Sequence, residues 1–256
     1  MTTSVRLEVR SNVAWITLDG VDTRNSLDGN SAQALVEACD AVDNDPSVGA
    51  VVITGAGSAF CSGADRTALR DLSSARPHEA YEVLDSLYRA FRRFGEVTVP
   101  SIAAVNGGAV GAGLNLALAS DVRVAADNAL LVPGFAENGI HPGGGHFHLL
   151  ERAAGRQAAA ALGVLGQRLT GSAAADIGLV WEAVPVAELD EAAQRLAEPV
   201  ARDPELARAL ARSLRLTTAP PSAWQSATEV ERARQMWSLS RPRPVAASSE
   251  NGLAAP

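Results

Sequence analysis

The sequence predicts an α/β core followed by a helical C-terminal part. Apolar strand-like runs alternate with helix-spaced segments until past the middle of the chain, and helices then dominate. The composition agrees: 47% of residues are hydrophobic but only 4% aromatic, with Ala, Val and Leu supplying much of the rest. That mix favours helices packed closely on a sheet over an aromatic-rich β protein. Residues 1–200 are expected to form the α/β core and 201–243 a helical region, with a soft junction near Asp203. Residues 244–256, in a stretch rich in Pro, Ala and Ser, read as a disordered tail.

Val5, Leu7 and Val9 alternate with polar residues, and Val13, Trp15 and Thr17 resume the alternation after Ser11-Asn12. This is an antiparallel hairpin with a two-residue turn, followed by a loop carrying Arg24-Asn25-Ser26-Leu27. Ala32, Leu35, Val36, Cys39 and Val42 have helical spacing. Val48 to Thr54 is a buried strand that ends in Gly55-Ala56-Gly57. From about Pro77 to Phe94 an amphipathic helix turns Tyr81, Leu84, Leu87, Tyr88 and Phe91 inward. A second buried strand runs to Val105, a helix starts at Ala112, and 121–131 holds another strand. A loop broken by Pro133, Gly134, Gly139, Pro142 and three consecutive glycines spans 132–145, and a helix begins at His146. After an alanine-rich stretch, a helix starts near Ala173 and stops at Gly178. A short strand over 180–184 and helices over 189–201, 204–217 and 223–239 complete the chain.

The net charge of −7 and a pI near 5.2 argue against a nucleic-acid partner or an anionic membrane, so any anionic ligand must be met by local features. Two cysteines, Cys39 and Cys61, make no disulfide framework and point to a reducing compartment. No signal region opens the sequence and no apolar run is long enough to span a bilayer, so a cytoplasmic location is expected.

The chemistry concentrates in Ile102 to Asp121. An apolar strand runs into Asn106-Gly107-Gly108-Ala109-Val110-Gly111-Ala112-Gly113, and a helix starts from that turn. Small side chains leave the N–H groups near Gly111 to Gly113 open to a ligand, and the positive end of the helix dipole points the same way. The arrangement suits an oxygen that gains negative charge.

Other motifs compete less well. Gly55-Ala56-Gly57 lacks the third glycine of a dinucleotide fingerprint, because Phe60 occupies its place, and reads as a tight turn. His141, His146 and His148 lack further metal ligands at defined spacing, so helix capping or solvent exposure is the plainer reading. His141, next to a Pro-Gly turn, is retained as a candidate acid or base. No Gly-x-Ser-x-Gly elbow is present, and Cys61 has no basic partner in sequence and reads as packing.

The stretch from Ile102-Ala103-Ala104-Val105-Asn106-Gly107 to Asp121 resembles the signature of the crotonase (enoyl-CoA hydratase/isomerase) superfamily. Phe60-Cys61-Ser62-Gly63-Ala64-Asp65 is similar to its first oxyanion segment. Leu169-Thr170-Gly171 and Gly178-Leu179-Val180 match later landmarks in the expected order, so the resemblance covers about residues 5 to 200. It implies an α/β, ClpP/crotonase-like fold of stacked ββα units in two roughly perpendicular sheets, with a C-terminal helical region that assembles a homotrimer or a dimer of trimers. It implies an acyl-CoA thioester as ligand, with coenzyme A carried by the substrate and no separate cofactor or metal. The backbone N–H groups of Ala64 and Ala112 would hold the thioester oxygen, with Gly111 and Asp65 beside them. Arg24 and Arg66 are candidates for the CoA phosphates, with surface solvation as the alternative.

The sequence departs from that family at the residues that hydrate an alkene. Two glutamates suit the task, one as base and one as acid. By motif alignment the first falls on Asn115, which can orient water but does not titrate, and the second on apolar Phe135. Glu137 is two residues on; in an extended segment it would lie about 6.6 Å further along the same face. Glu137 and His141 are therefore the candidates for a single base, with an exposed loop carboxylate the plain alternative for Glu137. Three readings follow: an acyl-CoA enzyme of isomerase or lyase type with non-standard residues, a non-catalytic acyl-CoA carrier or regulator, and a trimeric scaffold. The usual Phe-x-Glu-Lys-Arg ending is missing after Glu229 to Leu239, leaving Met236 and Trp237 as lid candidates or as helix packing.

Overall fold

The computed structural model describes residues 2–65, 75–218 and 221–241. It opens on β1 (Ser4–Arg10) and β2 (Val13–Asp19), paired antiparallel. Ser11 and Asn12 both sit at positive φ, the backbone twist that a two-residue hairpin turn needs. Helix α1 (Gly29–Asn44) starts at Asp28, whose carboxylate accepts the Ser31 N–H at 2.8 Å while Ser31 Oγ accepts the Asp28 N–H.

Strands then come in pairs. β3 (Ala50–Gly55) is followed by β4 (Ala59–Cys61), β5 (Ser101–Val105) by β6 (Gly108–Val110), and β7 (Val122–Ala126) by β8 (Leu130–Val132). The expected single strand over 121–131 is thus two. Asp127 and Asn128 turn the chain, with the Ala129 N–H on the Ala126 carbonyl. The first member of each pair joins a six-stranded sheet in the order β1-β2-β3-β5-β7-β10, where β10 is Glu182–Val184. The second member joins a four-stranded sheet, β4-β6-β8-β9, where β9 is Leu169–Thr170. Helices α2 (Pro77–Gly95), α3 (Ala112–Ala119) and α4 (His146–Ala159) come after these pairs in chain order, giving the stacked ββα pattern.

Along β3, alternate side chains feed two cores. Val51 and Ile53 pack with α1 and α2 through Leu35, Cys39, Phe91 and Phe94. Val52 faces the other way with Val13 and Trp15, under Leu189, Ala193 and Ala197 of α6 (Leu189–Ala201). Between them comes the short helix α5 (Gly171–Asp176), capped by the Thr170 hydroxyl, and Gly178 follows at positive φ. Two long helices follow α6: α7 (Pro204–Thr218) and α8 (Pro221–Ser240). No helix among the described residues is long and apolar enough to cross a membrane. The expected tail, 244–256, lies outside the described residues.

On α2, Leu84, Leu87, Tyr88 and Phe91 are buried as their spacing predicts, but Tyr81 is 42% exposed. The guanidinium of Arg232 on α8 covers one face of its ring at 4.1 Å, a polar partner that a hydrophobic period does not foresee.

Backbone packs on backbone where α3 meets β4 and where the β3–β4 and β5–β6 turns meet. A Cβ on Gly113 would collide with the Cys61 carbonyl, and one on Gly107 with the Ser58 carbonyl. Gly113→Ala is therefore expected to cost about 1–3 kcal/mol, read as a lower urea midpoint, because neither peptide can retreat without breaking its own pairing.

Candidate functional site

The turn after β4 and the turn after β6 converge on one cavity of about 380 Å³. Asn25 holds the first turn from behind. It is fully buried at φ +57, a conformation asparagine tolerates, and its side chain accepts the Gly20 N–H and donates to the Ala56 and Ala59 carbonyls. Ala64 pairs with Leu27 in an isolated parallel bridge: Leu27 N–H bonds to the Gly63 carbonyl and Asp65 N–H to the Leu27 carbonyl, each at 2.8 Å. In such a bridge the N–H of the central residue points away from the partner strand, so the Ala64 amide is not spent on Leu27.

The second turn supplies its amide differently. Ala112 is the first residue of α3, and the N–H groups of a first helical turn have no partner within the helix. Gly111, at φ +54, gives its own N–H to the Val132 carbonyl. Gly63, at φ +94, brings the turns together: a Cβ there would stand 2.7 Å from the Val110 carbonyl and 3.4 Å from the Ala112 nitrogen. Ala64, Gly111 and Ala112 all line the cavity.

Asn115 and Phe135 also line it. Asn115 is buried and held at both ends. Its Nδ2 donates to the Gly143 carbonyl at 2.8 Å, and its Oδ1 lies 2.7 Å from His146 Nδ1. That pairing assigns the proton to Nδ1 and leaves Nε2 bare; Nε2 is buried with no partner. Burial, and then the neighbouring His141, pushes the His146 pKa down to about 3, so the ring is neutral. Its edge meets the Phe135 ring at 5.0 Å. The helix-capping or exposed histidine expected at 146 is thus a core residue that fixes Asn115.

The other described candidates fall outside the lining. Glu137 is exposed and bound at both carboxylate oxygens by Arg168, at 2.6 and 3.2 Å. Residues 136–138 form a 3-10 turn, so the extended geometry that would aim Glu137 along with Phe135 is not formed. His141 is half-buried, its Nδ1 2.7 Å from the Pro142 carbonyl and its ring against Phe147. Arg24 is exposed in the left-handed region, and its carbonyl accepts the Ser62 N–H. Asp65 is half-buried beside Ala64. Arg66 lies outside the described residues. The Cys61 thiol is pushed up to about 12 by burial, which keeps it protonated and fits its reading as packing.

The far wall was missed by sequence reasoning. Leu84, Leu87 and Phe91 make it apolar, but Tyr88 Oη donates to Gln235 Oε1 of α8 and both residues line the cavity. Gln235 belongs to a buried polar seam of α8: Thr228, Glu231, Arg232, Gln235 and Ser238. Glu231 accepts the N–H groups of Gly145, His146 and Phe147, at 2.8, 2.7 and 3.0 Å, and so caps α4 from another helix. Burial raises the Glu231 pKa against the pull of those three amides. Met236 packs against the core, whereas Trp237 is exposed with Arg241 over its ring.

A sequence model of the family described as Enoyl-CoA hydratase/isomerase matches residues 8–241. The chain belongs to this family. Among relatives, the Mycobacterium tuberculosis H37Rv protein named "Probable enoyl-CoA hydratase EchA14" is 41% identical over 220 residues, covering 85% of this chain and 84% of that one. The 1,2-epoxyphenylacetyl-CoA isomerase of Escherichia coli K12 is 34% identical over 200 residues, covering 77% and 75%. The crystal structure of an enoyl-CoA hydratase/isomerase from Xanthobacter autotrophicus Py2 superposes with a TM-score of 0.83 at 30% identity, over 92% of this chain and 88% of that one.

His146 makes stability depend on acid. It stays neutral in the fold to about pH 3 but protonates near 6.5 when unfolded. Between those values the unfolded chain binds the extra proton, so stability falls as pH falls, by up to about 1.4 kcal/mol per pH unit. Denaturant titrations from pH 7 to 4 should show a shallower fall in His146→Gln than in the unaltered chain. Glu231→Gln is expected to cost about 2 kcal/mol or more, because an amide oxygen cannot accept all three N–H groups. Early proteolysis within α8 would report it.

Proposed function

We propose that the chain binds an acyl-CoA thioester with its carbonyl oxygen at the Ala64 and Ala112 amides, and stabilises the enolate of that thioester without hydrating an alkene through a carboxylate pair. The carrying observation is the cavity itself. Ala64 and Ala112, whose amides the local pairing leaves unspent, line it, yet no Asp, Glu or His is among its described lining residues. Asn115 and Phe135 stand where the alignment puts the two glutamates. Asn115 is already committed to Gly143 and His146, so it is a fixed dipole at the cavity wall.

Backbone donors held in place act on charge as it develops, and one donor in a comparable hole is worth about 2.7–4 kcal/mol. They favour chemistry in which the thioester oxygen becomes anionic, as in moving a double bond or opening a strained ring beside the carbonyl. The likeness to a protein named as a CoA-thioester isomerase supports that direction. Glu137 is engaged by Arg168, and Tyr88 is engaged by Gln235 and held protonated by burial. The same bare lining favours a second reading, a carrier or regulator that binds acyl-CoA without turnover. A scaffold ranks last, since it has no use for two converging amides.

A homotrimer or dimer of trimers fits the apolar stripe Leu206, Leu210 and Leu214 of α7, each about half exposed. Light scattering should then give a mass that is a multiple of three chains.

Calorimetry with a panel of acyl-CoAs, followed by turnover assays on those that bind, tests the reading. Saturable binding is expected, with weak or absent hydration of a short enoyl-CoA. Asn115→Glu combined with Phe135→Glu is expected to raise that hydration. Robust hydration by the unaltered chain would overturn the chemistry, and failure to bind any acyl-CoA would overturn both the enzyme and the carrier.

A further inference from the structure

A second cavity, of about 280 Å³, opens at the other end of α3. Leu118 and Ser120 line it, whereas Ala112 at the helix start lines the first cavity. Its walls bring three arginines together from three elements: Arg123 of β7, Arg152 of α4 and Arg215 of α7, with His148 beside Arg152. In a chain of net charge −7 such a local excess of cations is unexpected.

The partners of these cations do not account for them. Arg215 donates to Asp121 at 2.7 Å and to the Val97 and Val99 carbonyls, but its Nε is buried without a partner. Asp121 also accepts from the Ser101 N–H and hydroxyl, all on Oδ2, so one carboxylate answers to three arginines. Arg123 spends Nε on the Leu179 carbonyl and Nη1 on the Ser120 carbonyl. Arg152 has neither hydrogen bond nor ion pair among the described residues; burial disfavours its charge most, the nearby Asp121 favours it, and Arg215 disfavours it. The carbonyl end of α3 does not fill the gap, since Ser120 takes the Ala117 carbonyl through both N–H and hydroxyl. Glu96, the other lining carboxylate, is exposed. Arg152 and Arg215 thus share the single carboxylate of Asp121, with the Arg152 fork making no hydrogen bond and one buried N–H of Arg215 unmet. Planar forks of this kind bind carboxylate and phosphate oxygens in pairs.

We propose that this cavity is a binding site for a small multivalent oxyanion, a phosphate ester or polycarboxylate, held by Arg152, Arg215 Nε and Arg123. The space equals about nine water molecules, enough for an anion larger than one phosphate. The site is independent of the acyl-CoA reading, because it shares no lining residue with the first cavity.

The test uses the full chain with pyrophosphate and citrate as probes, at constant ionic strength set with chloride. Saturable binding by calorimetry and a raised melting temperature are expected for at least one probe. Arg152→Gln should weaken that binding at least tenfold. It should also leave the anion-free melting temperature unchanged or higher, since it removes an unpaired charge. Arg10→Gln, on the distant hairpin, should bind as the unaltered chain does, and acyl-CoA affinity should be the same in Arg152→Gln. Absence of saturable binding, equal weakening by Arg10→Gln, or a lower anion-free melting temperature in Arg152→Gln would each overturn the proposal. So would a loss of acyl-CoA affinity in Arg152→Gln.

Discussion

The close approach of two peptide turns is the constraint on which the rest of the molecule depends. Gly63 lies against the Val110 carbonyl and Gly113 against the Cys61 carbonyl, at distances that leave no room for a side chain. β4, β6 and the start of α3 are packed there main chain on main chain. Each turn gives its hydrogen bonds backward, to Leu27 on one side and to Val132 on the other, and Ala64 and Ala112 both line the cavity. Both cores serve this junction: alternate residues of β3 bury against helices on opposite faces and fix the strand that leads into it.

Much of this was legible in the sequence because it is written in short-range rules. Ser11-Asn12 announces a hairpin, Val48 to Thr54 a strand buried on both faces, and Leu84, Leu87, Tyr88 and Phe91 the inner face of a helix. The stretch from Gly107 to Gly113 shows a backbone meant to be approached, and Gly107 and Gly113 at its two ends have no room for a side chain. Position in a known motif order then named Ala64 and Ala112, which no property of alanine could have done.

What was not legible depends on partners far apart in the chain. His146 looks like a surface residue at a helix start until Asn115, thirty-one positions earlier, is seen to hold it. Tyr81 shares the spacing of its apolar neighbours, yet Arg232 covers it from another helix. Glu137 lies two residues from a cavity wall, and a single 3-10 turn hands it to Arg168. The α8 seam did carry a signal. Thr228, Glu231, Arg232, Gln235 and Ser238 follow a helical period, but in polar residues, where a search for apolar stripes is blind.

Glu231 also orders the assembly of the molecule in time. The carboxylate that closes the three amides at the start of α4 arrives from some eighty-five residues downstream. During synthesis the rest of the fold must wait, with that helix end bare and the Tyr88 wall lacking its glutamine, until α8 clears the ribosome. A nascent chain stalled before that point would lack both the Glu231 cap on α4 and the Gln235 partner of Tyr88, and so would leave one wall of the cavity open to water.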